Sequence, residues 1–315
     1  MKTITGFLGA AMLIGMAVQL NTNPTSPVQP SASSPSQTGF VLKRLPFRVG
    51  HPQPAAFPRI RGQADQSSYN WSGYAAPYDG KINGVSATEV FSGVSGSWTV
   101  TGLTGTGKTA AYAAAWVGLD GYASDTVEQT GTLQEWTGKT AQYYAWFEMY
   151  PGPMYEINAT VEPGDVINAS VEYVGTTTVS KGRGRSETEY VFNVTIEDVT
   201  QGWTFASVPD GYASYTTVTS AARDSAEWIV EAPASGNEIL PLADFGTIDF
   251  TGCEATATAG TGTGAFVGTG PISSYFWDEL TMVSKNRAET LEDSVSGLLA
   301  DPIVGDDFTV SWLAQ

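Results

Sequence analysis

The sequence predicts an all-β fold, a sandwich of many short strands in one domain. Three observations carry the expectation. From Ser67 onward the chain consists of short alternating runs such as SGSWTVTG, AQYYAWFEMYPGP and DFTVSWLAQ, each broken by Gly, Asn, Asp or Pro. The 35 glycines come with many Val, Thr, Tyr and Trp residues, which favour pleated, half-buried surfaces. Helical periodicity is nearly absent, with Asn286–Leu299 as the best candidate for a short helix. No internal repeat and no second linker divide residues 65–315.

Residues 1–20 read as a secretory signal: Lys2 precedes an apolar run from Phe7 to Val18, shorter than the roughly 20 apolar residues of a membrane span. Residues 21–64 are rich in Pro and Ser and then turn basic, as expected of a weakly ordered prosegment. Six bases and no acid precede Asp65, so 9 of the 15 Lys and Arg face all 32 Asp and Glu from there on, a formal charge of −23. A basic leader on an acidic body argues for a leader held by charge and against a nucleic-acid partner. On that basis the leader is expected to act as an intramolecular inhibitor, anchored by its basic LPFRVG–RIRG region and shed near residues 60–66 in acid.

The single His, His51, lies in the leader, so a processed body offers no histidine for a Ser-His-Asp or Cys-His site or for a zinc ligand. Cys253 is the only cysteine and forms no intramolecular disulfide. No metal or cofactor is expected. Gly102 to Thr109 fits the phosphate-loop pattern, but that loop needs a following helix, and AAYAAAWVGLDG alternates like a strand. A Gly/Thr hairpin loop is the better reading.

Four stretches place acids at strand spacing, and two of them add aromatics on the same face. In Ser225-Ala-Glu-Trp-Ile-Val-Glu231, Glu227, Ile229 and Glu231 point one way and Trp228 and Val230 the other. Tyr112, Ala114, Trp116, Gly118 and Asp120 share a face, as do Tyr144, Trp146, Glu148 and Tyr150, and Glu128-Gln129-Thr130-Gly131 lies between them. Together they suggest a concave cleft that holds an extended polymer.

These residues resemble the eqolisin-type glutamic peptidases, through YNWSGY (69–74), AWVGLDG (115–121), EQTG (128–131), YAWFEMYPG (144–152), AEWIVE (226–231) and IDFTGC (248–253). The resemblance covers about residues 67–253. It implies an antiparallel two-sheet β-sandwich of concanavalin-like or jelly-roll type with a concave substrate cleft. It also implies export, a removed prosegment and endopeptidase action on polypeptides in acid, by a monomer free of the membrane once processed. The family's catalytic Gln falls on Gln129 and its catalytic Glu on Glu231 rather than Glu227. Trp116, Asp120 and Glu148 fall on supporting positions, with Trp146, Trp71 and Tyr150 along the cleft. Two departures stand out: the fungal members carry several cysteines, and Glu128 replaces an aliphatic residue.

The chemistry agrees on separate grounds. Without His or metal ligands, amide hydrolysis falls to carboxylates and amides. A glutamate near its usual value of ~4.3 is an ionised general base from mildly acidic pH upward. A Gln amide donates to an oxyanion without repelling it, whereas a second carboxylate would share a proton with the first. A β-sandwich glycosidase, which needs two carboxylates, and a polysaccharide-binding module, which needs only the aromatics, are the alternative readings.

Overall fold

The computed structural model describes residues 39–50, 65–77, 81–82, 85–86, 89–104, 107–259, 266–275, 277–285, 290–295 and 305–314. The chain divides into two units, Met1–Ser36 and Gln37–Gln315, and every described residue lies in the second. The signal-like residues 1–20, His51, and residues 51–64 with Arg59 and Arg61 fall outside the description.

Alternation becomes strand nearly everywhere. The described strands begin with β1 (Leu42–Arg44), β2 (Asp65–Ser68), β3 (Trp71–Pro77), β4 (Lys81–Ile82), β5 (Val85–Ser86), β6 (Glu89–Thr99) and β7 (Ala111–Leu119). They continue with β8 (Val127–Trp136), β9 (Ala141–Tyr150), β10 (Met154–Ile157), β11 (Val166–Gly182), β12 (Arg185–Asp198), β13 (Trp203–Ala206) and β14 (Thr217–Val218). The last are β15 (Ser225–Glu231), β16 (Ala234–Ser235), β17 (Glu238–Ile239), β18 (Thr247–Ala259), β19 (Phe266–Pro271), β20 (Asp278–Val283), β21 (Thr290–Val295) and β22 (Phe308–Trp312). No described helix is long and apolar enough to cross a membrane.

Two sheets face each other. The inner one runs β1-β10-β9-β8-β7-β15-β3-β20, and β2 joins β20 in a parallel pairing. The outer one runs β12-β11-β6-β18, with β13 and β14 on the far edge of β12 and β19 and β22 on β18. At one side β21 bridges β20 and β22 and so links the sheets. The expected short helix over 286–299 is therefore corrected where it is described: Thr290–Val295 is a strand. Two sheet edges need hydrogen-bond partners there, and that demand outweighs a weak local helix preference. The phosphate-loop stretch also runs into a strand, Ala111–Leu119, and no helix follows it.

Side-chain alternation splits the inner sheet into two apolar clusters. Ala113, Ala115, Val117, Leu119, Ala145, Phe147, Met149, Trp228 and Val230 face the outer sheet and form the sandwich core. Trp228 Nε1 donates to Ser95 O across the sandwich at 2.7 Å, and Trp98 Nε1 to Thr132 Oγ1 at 2.9 Å, so the buried indoles are satisfied as well as packed. The opposite face carries Ala114, Trp116, Leu133, Trp146 and Ile229, which line a second cluster with Trp71. Gly131 makes room for it: a Cβ there would lie 2.1 Å from Ala115 O and 2.7 Å from Trp116 Cβ.

Candidate active site

The second face is the candidate site, and strand register builds it in rows. Across β15, β7, β8 and β9, Glu227 stands beside Gly118, Gly118 beside Gln129, and Gln129 beside Glu148. One row along, Ile229 neighbours Trp116, Trp116 neighbours Gly131, and Gly131 neighbours Trp146. Glu231 closes β15 opposite Ala114 on one side and Trp71 on the other. Trp71 meets Trp116 edge-on at 4.9 Å. Glu231, Gln129 and Glu148 are fully buried.

The segment Leu42–Gly50 lies over them. Leu42–Arg44 adds a strand to β10, and Leu45 N donates to Met154 O at 3.0 Å. Arg48 exchanges two 2.9 Å backbone hydrogen bonds with Ala234. Val49 N donates to Glu148 Oε2 at 2.8 Å, and Gln129 Nε2 donates to Val49 O at 2.5 Å. Gly50 N donates to Glu231 Oε1 at 3.1 Å. Leu45, Phe47 and Val49, alternate residues of an extended chain, pack into the cleft cluster, with Phe47 against Tyr112 at 5.3 Å.

Of the expected LPFRVG–RIRG charge anchor, Arg59 and Arg61 lie outside the described residues, and the charge of Arg48 acts on Glu148. The ion pair described for this segment, Lys43–Glu156 at 2.9 Å, has an exposed lysine. Such pairs contribute about 0.2–1 kcal/mol, against about 1.5–3 kcal/mol for each fully buried large apolar side chain. Among the described contacts of this segment, backbone pairing and apolar burial outweigh the exposed Lys43–Glu156 pair.

Glu231 is held by donors on several sides. Asn70 Nδ2 reaches Oε1 at 3.1 Å and Trp116 Nε1 reaches Oε2 at 3.2 Å. Burial pushes its carboxyl well above the usual glutamate range, nearby Glu148 pushes the same way, and the Gly50 and Asn70 N–H groups oppose them. Burial also raises Glu148, opposed by the Val49 N–H and by Arg48.

The structure therefore brings Gln129, Glu231, Glu148, Trp116, Trp146 and Trp71 onto one face. Tyr150 borders it, since a Cβ on Gly50 would lie 3.0 Å from its ring. Asp120 sits elsewhere. It follows β7 with φ 68°, and its Oδ1 accepts from Asp224 N at 2.9 Å. Asn70 and the leader residues were missed as parts of the site. The Asn of YNWSGY and the alternating Leu-x-Phe-x-Val of the leader were the available signals.

Asp120 belongs to a second acidic group with Glu128, Glu227 and Asp224. Burial raises Glu128 well above its ordinary value, and Asp120 and Glu227 add to the effect. Burial likewise raises Glu227, helped by Asp120 and Asp224 and opposed by the Ser225 hydroxyl, while Asp224 is pushed up to about 6, chiefly by burial. No group of three or more His, Cys, Asp or Glu among the described residues is arranged to hold a metal ion.

Raised carboxyls fix the sign of a pH effect. The folded chain keeps protons that the unfolded chain releases above about 4.5, so unfolding free energy falls as pH rises from there through the folded values. Urea unfolding should show greatest stability near pH 4 and a decline toward pH 7, each unit of upward shift counting for about 1.4 kcal/mol. Glu128→Gln should make the decline shallower. Stability that is flat or rises over this window would contradict the assignment.

Comparison with known proteins adds a lineage. The family model described as the Peptidase A4 family matches residues 69–273. Aspergillopepsin-2 of Aspergillus niger is 31% identical over 247 residues, which cover 74% of this chain and 76% of that protein. Scytalidopepsin B of Scytalidium lignicola is 26% identical over 276 residues, covering 84% of this chain and 90% of that one. Among solved structures, scytalido-glutamic peptidase with a transition state analog inhibitor is similar in fold, with a TM-score of 0.53 at 22% identity over 78% of this chain and 98% of that chain.

Proposed function

Since the chain belongs to the Peptidase A4 family and is a peptidase, we propose that Glu231 and Gln129 are its catalytic pair, in a secreted, monomeric, acid-acting endopeptidase made as a zymogen. Membership of a peptidase family removes the glycosidase and polysaccharide-binding readings. The observation that carries the proposal is the way one peptide lies across the pair: its carbonyl meets Gln129 Nε2 at 2.5 Å and its nitrogen meets Glu231 Oε1 at 3.1 Å.

A polypeptide substrate takes the same extended path. The ionised Glu231 removes a proton from water as the oxygen attacks the carbonyl carbon. Gln129 donates to the oxyanion, an interaction of about 3–4 kcal/mol in a comparable setting. Glu231 then returns the proton to the departing nitrogen. Asn70 and Trp116 orient Glu231, and Glu148 fixes the substrate backbone by accepting the N–H of the residue that supplies the carbonyl. In the zymogen, residues 45–50 fill that path and exclude other chains. Once water replaces the leader, the burial that raises Glu231 is relieved, and its ionised fraction in mild acid grows.

The test takes protein whose residues up to about 60 have been cut away by an external protease and washed off, and incubates it with a denatured protein at about pH 4, near the carboxylate range, with fragments followed by mass spectrometry. Internal cleavage that disappears in Glu231→Gln is expected. No cleavage, or cleavage that survives that substitution, would refute the pair.

A further inference from the structure

We propose that Tyr112 marks a specificity subsite, which selects an aromatic or large aliphatic side chain on the third residue before the bond that is cut. The inference rests on the catalytic-pair reading above and names the substrate feature that this site recognises.

Residues 45–50 show which positions of an extended chain the cleft contacts. The Val49 carbonyl meets Gln129 Nε2, so Val49 stands where the residue just before the cut of a substrate would lie. Counting back, Arg48 is second, Phe47 third and Leu45 fifth. Val49, Phe47 and Leu45 are buried, whereas Arg48 and Pro46 between them are exposed. The backbone fixes this phase. Arg48 N donates to Ala234 O and Arg48 O accepts from Ala234 N, both at 2.9 Å, and neither bond depends on a side chain. Alternate side chains then enter the cleft, as along any extended strand. Phe47 is the largest of the three.

Tyr112 receives it. The two rings lie 5.3 Å apart and are tilted by 54°, within the range of favourable aromatic pairs. Backbone pairing holds Tyr112 on both sides. It stands opposite Glu135 of β8, and beyond the other edge its N donates to Pro241 O at 2.8 Å and its O accepts from Ala243 N at 3.0 Å. The receiving ring is therefore placed by the sheet and by the 241–243 segment, not by residues 45–50. Ala114, the next cleft-facing residue of β7, is small, so the wall is hollowed between the Tyr112 and Trp116 rings, and Leu240 and Tyr144 pack on the same cluster. A space of this kind rewards a ring or a branched aliphatic side chain and leaves glycine without a partner. The position held by Arg48 has no such wall, since its side chain points to solvent.

The test takes protein freed of residues 45–50 and all before them by an external protease, with peptides that share one sequence and differ only at the third residue before the cut. Mass spectrometry fixes the bond. At about pH 4, Phe there should exceed Gly by about 10–100-fold in kcat/KM, the size expected for burying one large apolar side chain. Tyr112→Ala should bring that ratio toward one, and Tyr112→Phe, which keeps the ring, should preserve it. Exchanging the second residue before the cut should change kcat/KM little. A ratio that Tyr112→Ala leaves intact, or a preference carried by the second residue in place of the third, would overturn the proposal. A ratio near one in unaltered protein that still cuts these peptides would sink this inference alone, with no variant needed. No cleavage of any peptide would remove the catalytic pair with it.

Discussion

Glu231→Gln should lower kcat/KM by about 10⁴-fold or more, in line with the loss of a central member of other catalytic units, while Glu227→Gln should retain most activity. The two residues lie four apart on one strand face and are both fully buried, so burial does not distinguish them. Their partners do. Glu231 takes donors from Asn70, Trp116 and the leader's Gly50, whereas Glu227 shares its surroundings with Glu128, Asp120 and Asp224. Because residues 45–50 fill the cleft of the full chain, the assay needs that segment cut off by an external protease at a site inserted within residues 51–64 and then washed away. Near-ultraviolet circular dichroism would show whether each variant keeps its fold. Equal losses from the two substitutions would reverse the assignment.

Gln129→Ala should lower kcat by about 10²–10³-fold with little change in KM, the pattern of a donor engaged mainly in the transition state. The Nε2 contact to the Val49 carbonyl shows that the amide already reaches a bound carbonyl oxygen. That oxygen gains negative charge in the reaction, and the contact strengthens in a cleft walled by Trp116, Trp146 and Trp71. If KM alone rose, Gln129 would serve to bind substrate and the oxyanion would need another donor.

The fold and the cleft were legible because alternation is a short-range property. The Glu227–Glu231 strand, the Trp116 strand and the Trp146 strand each expose their reading in a few residues, and each lies as expected, with Trp228, Val117 and Phe147 in the sandwich core. What lies far apart in sequence was harder to see. Asn70 reaches Glu231 across 161 positions, and only the pairing of β3 with β15 brings them together. Charge is the legible feature of residues 42–50, and the structure adds to it the alternating Leu45, Phe47 and Val49 packed in the cleft cluster. Glu128 stands out in the sequence only as an acid in place of an aliphatic residue. The structure buries it beside Asp120 and Glu227, where it becomes a matter of stability. Thr290–Val295 looked helical because the sheet edges it bridges come from distant strands.

The central claim is that Glu231 and Gln129 act as one unit on one peptide bond. The most direct measurement is kcat/KM for Glu231→Gln, Gln129→Ala and the double variant on folded, leader-free protein with one peptide substrate. Members of a catalytic unit are strongly non-additive. The double variant should therefore fall no further than about the Glu231→Gln level. Losses that multiply in the double variant would show two residues contributing independently, and would contradict the account.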